Sequence, residues 1–178
     1  MISAKMAETI NKQINNEMYS AYLYMAMSAH SSVIGLNGFA TWFMVQYHEE
    51  MFHAMKMYNY VLDQGAEPHI QLIQEPPRSF ASAKTMFEKT LEHEKFVTKS
   101  IHEIAGLAQK EGDHATYSFI SWFVNEQVEE EKNDMEILAR LKLAGDSGPG
   151  LFMVDAALGA RTLTVQSDFS PGIVAPAP

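Results

Sequence analysis

The sequence predicts an all-α protein, a four-helix bundle with one long crossover between helices 2 and 3 and a short fifth C-terminal helix. In four long segments, apolar residues recur at alternating steps of three and four, as on one face of a helix. Short breaks separate the first segment from the second and the third from the fourth, whereas a proline-containing stretch from Gly65 to Phe80 lies between the second and third. No strand-like alternation is long enough to change the class.

Helices 1 and 2 are predicted over about residues 4–34 and 36–64, divided by the glycines of GLNG, Gly35 to Gly38. A connection this short makes the two helices antiparallel neighbours. The stretch from Gly65 to Phe80 lacks helical periodicity, and its length lets the chain travel along the bundle before helix 3 begins.

Helices 3 and 4 are predicted over about residues 82–110 and 113–143, separated by the short break EGDH. They therefore form the second antiparallel pair. Glycine and proline in AGDSGPG, Ala144 to Gly150, end helix 4. The amphipathic segment LFMVDAALGARTL then predicts the fifth helix.

A length of 178 residues suits one domain, predicted over residues 1–165, followed by an extended or disordered tail over residues 166–178. The net charge of −9 argues against nucleic acid as a partner and suits a protein that attracts cations. The chain has no cysteine, which excludes disulfides and thiolate metal sites. It also lacks the apolar run of a signal peptide or a membrane span, so we expect a cytoplasmic protein without a membrane partner.

The residues at these alternating steps of three and four form the core-facing stripe of each helix. Near its middle, each stripe contains a carboxylate: Glu17, Glu50, Glu94 and Glu130. The predicted helix midpoints fall at about residues 19, 50, 96 and 128, and midpoints of helices of similar length share one layer of a bundle. His53, one turn after Glu50, belongs to the same layer. The four carboxylates, the imidazole and Gln127 should therefore converge in the core.

Such a layer needs positive charge, because an isolated buried carboxylate costs on the order of 20 kcal/mol in the idealised limit. No Lys or Arg lies on any stripe at that height, and two divalent cations would supply the charge. Oxygen ligands with one or two nitrogens and no sulfur favour iron, manganese or zinc over copper. For any single residue the alternatives are a glutamate that reaches solvent and a hydrogen-bonded core histidine, but four helices repeat the pattern.

The motif formed by Glu17, Tyr24, Glu50-x-x-His53, Glu94 and Gln127-x-x-Glu130 resembles the ferroxidase motif of bacterial non-haem ferritins, members of the ferritin-like di-iron carboxylate family. The string NEQVEEEK, Asn125 to Lys132, is similar to the helix-4 signature of that type. The resemblance extends to about residue 165 and includes both loop lengths.

The resemblance implies a role for each of these residues. Glu17, Glu50 and His53 would hold the first iron, and Glu50 would bridge to a second iron that Glu94 and Glu130 also bind. Gln127 would be a near ligand or would hydrogen-bond the bound oxygen species. Tyr24 would hydrogen-bond near the site and could donate an electron; the alternative is a core tyrosine with a satisfied hydroxyl.

Three further glutamates, Glu49, Glu126 and Glu129, each neighbour a stripe residue and look like the third iron site of bacterial ferritins. The alternative for these three residues is a solvated acidic surface. The resemblance also implies the function: oxidation of Fe(II) with dioxygen or hydrogen peroxide, and storage and detoxification of iron as ferric mineral inside a hollow homo-oligomeric cage of twenty-four subunits.

Three alternatives remain open at this point. The first is a haem-binding bacterioferritin, since Met51 follows the helix-2 glutamate, where that family places a haem-ligating methionine. Bacterioferritins also have a second Glu-x-x-His motif, whereas this chain has Gln127-x-x-Glu130. No haem is therefore expected. A di-iron peroxidase or oxygenase of the same fold more often keeps two Glu-x-x-His half-sites. A metal-free structural bundle would not need its buried glutamates for metal binding.

Overall fold

The computed structural model describes residues 1–145 and 148–165, and its helices confirm the predicted class. Within these residues the helices are α1 (Ala4–Val33), α2 (Asn37–Asp63), α3 (Ala83–Glu111), α4 (His114–Ala144) and α5 (Pro149–Leu158). The first four agree with the predicted bounds to within one residue, whereas α5 begins earlier and ends earlier than the segment predicted for it. The predicted tail, residues 166–178, lies outside the described residues, and the division of the chain at residue 165 stays a prediction.

Local signals account for several helix ends. The hydroxyls of Ser3 and Ser82 accept hydrogen bonds from backbone N–H groups in the first turns of α1 and α3, at 3.0 and 3.1 Å. Asp113 caps α4 in the same way, through Thr116 N at 3.0 Å. Gly112 ends α3 with a φ of +66°, in the left-handed region that glycine adopts without strain.

The bundle is built from two helix pairs. Helix α1 packs along α2 and α3 along α4, α1 also contacts α3, and α5 packs against α2 and α4. The chain between α2 and α3 contains no helix or strand, as the crossover prediction requires. In the part of the chain described above, no helix is both long and apolar enough to cross a membrane.

Helix α5 is attached to the start of α2 by a side-chain cap. Asp155 Oδ1 accepts hydrogen bonds from the backbone N–H groups of Gly38 and Phe39, at 2.8 and 3.0 Å. Leu36, the N-cap residue of α2, supplies no side-chain cap of its own. Gly38 permits the contact, since a Cβ there would lie 1.7 Å from the carbonyl oxygen of Asp155. The position of α5 on the bundle is therefore tightly defined.

Two apolar clusters fill the core, one toward each end of the bundle. The cluster beneath α5 includes Phe39, Phe43 and Phe87, and the cluster at the other end includes Ile10 and Met57. Between them the buried positions are largely polar. This polar layer contains the candidate site.

Candidate metal centre

All the ferroxidase residues predicted from the helix stripes lie in the polar layer and are buried. Glu17, Glu50 and Glu94 are each 1% exposed, and His53 is 3% exposed. Glu130 is 7% exposed. Each of the four long helices contributes one carboxylate, so the convergence depends on the bundle and on no single helix.

Glu17, Glu50 and His53 form the tightest group in the layer. One ligand atom from each lies within 4.8 Å of the other two, close enough for one metal ion to bind all three. His53 Nδ1 is 3.5 Å from Glu50 Oε2, because a spacing of three residues places both side chains on one helix face. Gln13 donates a hydrogen bond from Nε2 to Glu17 Oε1 at 2.8 Å, which orients that carboxylate.

Amide side chains connect the other two carboxylates to this group. Gln46 Nε2 donates to Glu130 Oε2 at 2.8 Å and to Glu50 Oε1 at 3.3 Å. Gln127 Nε2 donates to Glu94 Oε2 at 3.0 Å and to the Glu94 carbonyl at 3.2 Å. Glu94 and Glu130 thus belong to the same hydrogen-bonded layer, but among the described residues only Glu17, Glu50 and His53 form a group of at least three possible ligands compact enough for one metal ion.

The electrostatics of the layer show a deficit of positive charge. Burial, and then the charge of Glu50, raises the pKa of Glu17 well above its usual range. Burial, followed by the charges of Glu94 and Glu130, does the same to the pKa of Glu50. Burial and Glu94 raise the pKa of Glu130 to about 8. Without a bound cation, Glu130 therefore retains a proton near neutral pH, and burial favours the protonated forms of Glu17 and Glu50.

Tyr24 is fully buried beside the layer, and its hydroxyl donates a hydrogen bond to Glu94 Oε1. Burial and the Glu94 charge raise the pKa of this phenol well above its usual range, so it stays protonated and able to donate. The contact agrees with both interpretations of Tyr24, since the hydroxyl is satisfied and its partner is a predicted metal ligand.

Asp134 is a member of the layer to which the sequence analysis gave no role. It lies on the α4 stripe one turn after Glu130, is 1% exposed, and its Oδ2 makes no hydrogen bond with any of the described residues. Burial, followed by Glu94 and Glu130, raises its pKa to about 9. The only sequence feature that could have identified Asp134 is its place on the α4 stripe, which puts a fifth carboxyl group at a core position.

The three glutamates of the predicted third site line an acidic pocket of about 290 Å³ next to the layer. Glu49 is 8% exposed, Glu126 is half-buried and Glu129 is exposed. His53 and Glu130 line the pocket as well, so it adjoins the candidate metal ligands. A solvated acidic surface describes Glu129 but not Glu49.

Arg161 is the functional candidate that the sequence analysis missed. The sequence analysis considered only the four stripes, which carry no Lys or Arg at this height, whereas Arg161 comes from the segment after α5. Its guanidinium forms an ion pair with Glu49 and donates a hydrogen bond to Gln46 Oε1 at 2.7 Å. The absence of Lys and Arg from the four stripes therefore holds, but a positive side chain reaches the edge of the layer from outside them. The helical spacing of the sequence could not have predicted the contact of Arg161 with Glu49 and Gln46.

Comparison with known proteins agrees with the geometry. Residues 7–144 match the ferritin-like domain. The bacterial non-heme ferritin of Staphylococcus aureus (strain USA300) is 37% identical over 162 residues, covering 91% of this chain and 98% of the relative. That of Escherichia coli O157:H7 is 37% identical over 167 residues, covering 94% and 100%.

Solved structures give the same result. An open-pore ferritin from the hyperthermophilic archaeon Archaeoglobus fulgidus superposes with a TM-score of 0.89 at 44% identity, covering 91% of this chain and all of the other. A closed form engineered from the Archaeoglobus fulgidus ferritin superposes with a TM-score of 0.90, covering 92% and 100%. The resemblance stated from the motif is thereby confirmed, and the chain belongs to the ferritin family, as one of the bacterial non-haem ferritins, iron-storage proteins with ferroxidase activity.

Proposed function

We propose that this chain oxidises Fe(II) at an intra-subunit site formed by the polar layer, with Glu17, Glu50 and His53 holding the first iron. Glu50 bridges to a second iron, which Glu94 and Glu130 also bind. The observation that carries this assignment is the burial of one carboxylate from each of four helices in a single layer. Two divalent ions supply the positive charge that the layer lacks.

The chemistry follows from the ligands. Hard carboxylate oxygens stabilise Fe(III) more than Fe(II), which makes the bound Fe(II) easier to oxidise. Each of two irons gives up one electron, and one dioxygen accepts both electrons and two protons to become hydrogen peroxide; with hydrogen peroxide as the oxidant the product is water. The raised pKa values of Glu17 and Glu50 mean that iron binding displaces protons from the layer.

In this proposal, two further buried residues assist the oxidation. Gln127 hydrogen-bonds Glu94 and is placed to be a near ligand or to orient the oxidant. Tyr24 hydrogen-bonds the same carboxylate and stays protonated, so it holds Glu94 in position and could donate an electron. Neither role requires a rearrangement, because Gln127 and Tyr24 already contact Glu94, a proposed iron ligand.

Storage follows oxidation. Glu49, Glu126 and Glu129 form a third iron site through which iron passes between the layer and a mineral. Ferritins form cage oligomers, and we infer a cage of twenty-four copies in the cytoplasm, with ferric mineral inside. The net charge of −9 draws Fe(II) toward the protein. No haem is part of this proposal.

The test is an aerobic Fe(II) titration of the metal-free protein, followed by size-exclusion chromatography with iron analysis. We expect a fast phase that saturates near two irons per chain, the number for a two-metal site. Far more iron than this should co-elute with a large particle. A fast phase without retained iron would favour a di-iron enzyme, and a haem band in the purified protein would contradict the non-haem assignment.

Variants locate the site. Glu50→Ala and His53→Ala should each lower the fast-phase rate at least about a hundredfold, because the reaction needs two bound irons; Glu50 is a ligand of both, and His53 is a ligand of the first. Glu103→Gln removes one exposed carboxylate from α3 and serves as the control, with an unchanged rate. Unchanged oxidation in both site variants would refute the site assignment.

A further inference from the structure

The segment that follows α5 enters the acidic pocket in a defined position. The Asp155 cap attaches α5 to α2, and Val154 and Leu158 pack in the apolar cluster beneath it. The chain turns at Gly159, after which Arg161, Thr164 and Val165 line the pocket. This anchoring delivers Arg161 to one place, where an unanchored terminal arm would sample many.

Three contacts hold the Arg161 guanidinium in that place. It pairs with Glu49, donates to Gln46 Oε1, and its Cζ lies 4.5 Å from the centroid of the Trp42 ring. The side chains of Arg161 and Glu49 are only 20% and 11% exposed. The guanidinium therefore supplies the pocket with a positive charge from the protein itself.

The contact with Gln46 connects the pocket to the layer. Because Gln46 Oε1 accepts from Arg161, its Nε2 is the atom that faces the layer and donates to Glu130 and Glu50. Arg161 thus sets the orientation of an amide that touches two proposed iron ligands. It also uses an oxygen of Glu49 that a third metal ion would need.

We propose that Arg161 is an internal counter-ion of the acidic pocket, and that a third divalent cation binds Glu49 only by displacing this guanidinium. This regulation of the third site rests on the proposed function, which supplies the two-metal layer and the third site. Two cations of like charge do not share one carboxylate cheaply in a half-buried pocket, so occupation by Arg161 and by metal exclude each other. The pocket thereby accepts a third metal ion only when the Arg161 side chain leaves Glu49.

The experiment is an anaerobic Co(II) titration of the metal-free assembled protein, followed by visible absorption, because Co(II) is not oxidised and its spectrum reports its ligands. We expect two tightly bound ions and a weaker third in the native protein. Arg161→Gln removes the charge at similar length and should tighten the third ion at least about tenfold, the order expected when a close charge pair is removed. Arg161→Lys keeps the charge and should stay close to the native protein.

Two controls complete the design. Arg140→Gln removes one exposed positive charge from α4 in the neighbouring groove and should leave the third ion unchanged. Glu49→Gln combined with Arg161→Gln should abolish the tightening, because the carboxylate that metal and guanidinium share is gone. Size-exclusion profiles identical to the native protein verify that each variant is assembled.

The outcomes separate the two proposals. An Arg161→Gln protein with two tight ions and an unchanged third ion would overturn the counter-ion role while leaving the proposed function intact. Tightening that persists without the Glu49 carboxylate, or that also follows Arg140→Gln, would overturn it as well. If the native protein binds no pair of tight ions, the proposed function fails, and this inference falls with it.

Discussion

The apolar ends of the core and the polar layer between them are built from the same four helices, but they affect stability in opposite ways. At the end beneath α5, the rings of Phe43 and Phe87 lie 5.1 Å apart and Trp42 and Phe87 lie 4.8 Å apart, all of them buried. In the layer, burial and mutual repulsion raise the pKa values of Glu17 and Glu50. The ends stabilise the fold through packing, whereas the layer opposes folding unless a cation is present.

This difference indicates that the bundle tolerates its site because the packing at both ends exceeds what the layer costs. The proposed site therefore lies where the contribution of the core to stability is lowest. Substitutions should change the free energy of unfolding in opposite directions in the two regions, and the metal-free assembled protein is the form in which this can be measured.

The largest effect is expected in the apolar end. Phe87→Ala should destabilise the protein by about 3–5 kcal/mol, because it leaves a cavity among buried aromatic rings. The measurement is the guanidinium denaturation midpoint by circular dichroism, with Phe87→Leu as the milder control. A loss below about 1 kcal/mol would contradict a closely packed end.

A smaller effect of opposite sign is expected in the layer. Glu50→Gln should stabilise the metal-free protein by about 1–4 kcal/mol, the range seen when buried ionic groups are replaced, because a Gln side chain needs neither a buried charge nor a proton taken up on folding. It should at the same time abolish the fast oxidation of Fe(II). Glu103→Gln on the surface should change stability by less than about 0.5 kcal/mol. Destabilisation by Glu50→Gln would show that the layer supports the metal-free fold after all.

The layer should also make stability depend on pH. The pKa values of Glu130 and Asp134 in the fold are about 8 and 9, above their unfolded values, so the folded state binds more protons. The free energy of unfolding of the metal-free protein should therefore fall as the pH rises from about 5 to 9.

Asp134→Asn isolates one part of that dependence. At pH 7 it should stabilise the metal-free protein, because Asp134 is ionised in the unfolded chain but must hold a proton in the fold. It should also flatten the loss of stability across about pH 5 to 9, the range between the unfolded and folded pKa values. Denaturation midpoints at pH 6, 7.5 and 9 test this, with exposed Asp63→Asn as the control. If the denaturation midpoint of the native protein did not change with pH, the claim that the carboxyl groups of the layer hold protons in the metal-free fold would be wrong.

The smallest effect is expected from the hydrogen bonds that orient the layer. Gln13→Met keeps the volume but removes the donor to Glu17, and should cost about 0.5–1.5 kcal/mol, the net value of one such bond. Denaturation under the same conditions measures it. A loss above about 3 kcal/mol would mean that Gln13 belongs with the packed ends and not with the layer.

Much of the fold and site was predictable from the sequence because helical periodicity is local. The three-and-four spacing placed Glu17, Glu50, Glu94 and Glu130 on buried faces, and the short loops placed those faces in one layer. His53 followed from its spacing to Glu50. These inferences need only the geometry of a helix and the rule that short connections join antiparallel neighbours.

The tertiary structure alone decided which side chains surround that layer. Arg161 lies 115 residues from Gln46 along the chain, and only the docking of α5 through Asp155 brings the two together. The hydrogen bonds of Gln46 and Gln127, and the isolation of Asp134, likewise depend on neighbours from other helices. Spacing within a helix determines the face on which a residue lies, but the contacts across that face arise only when distant segments pack together.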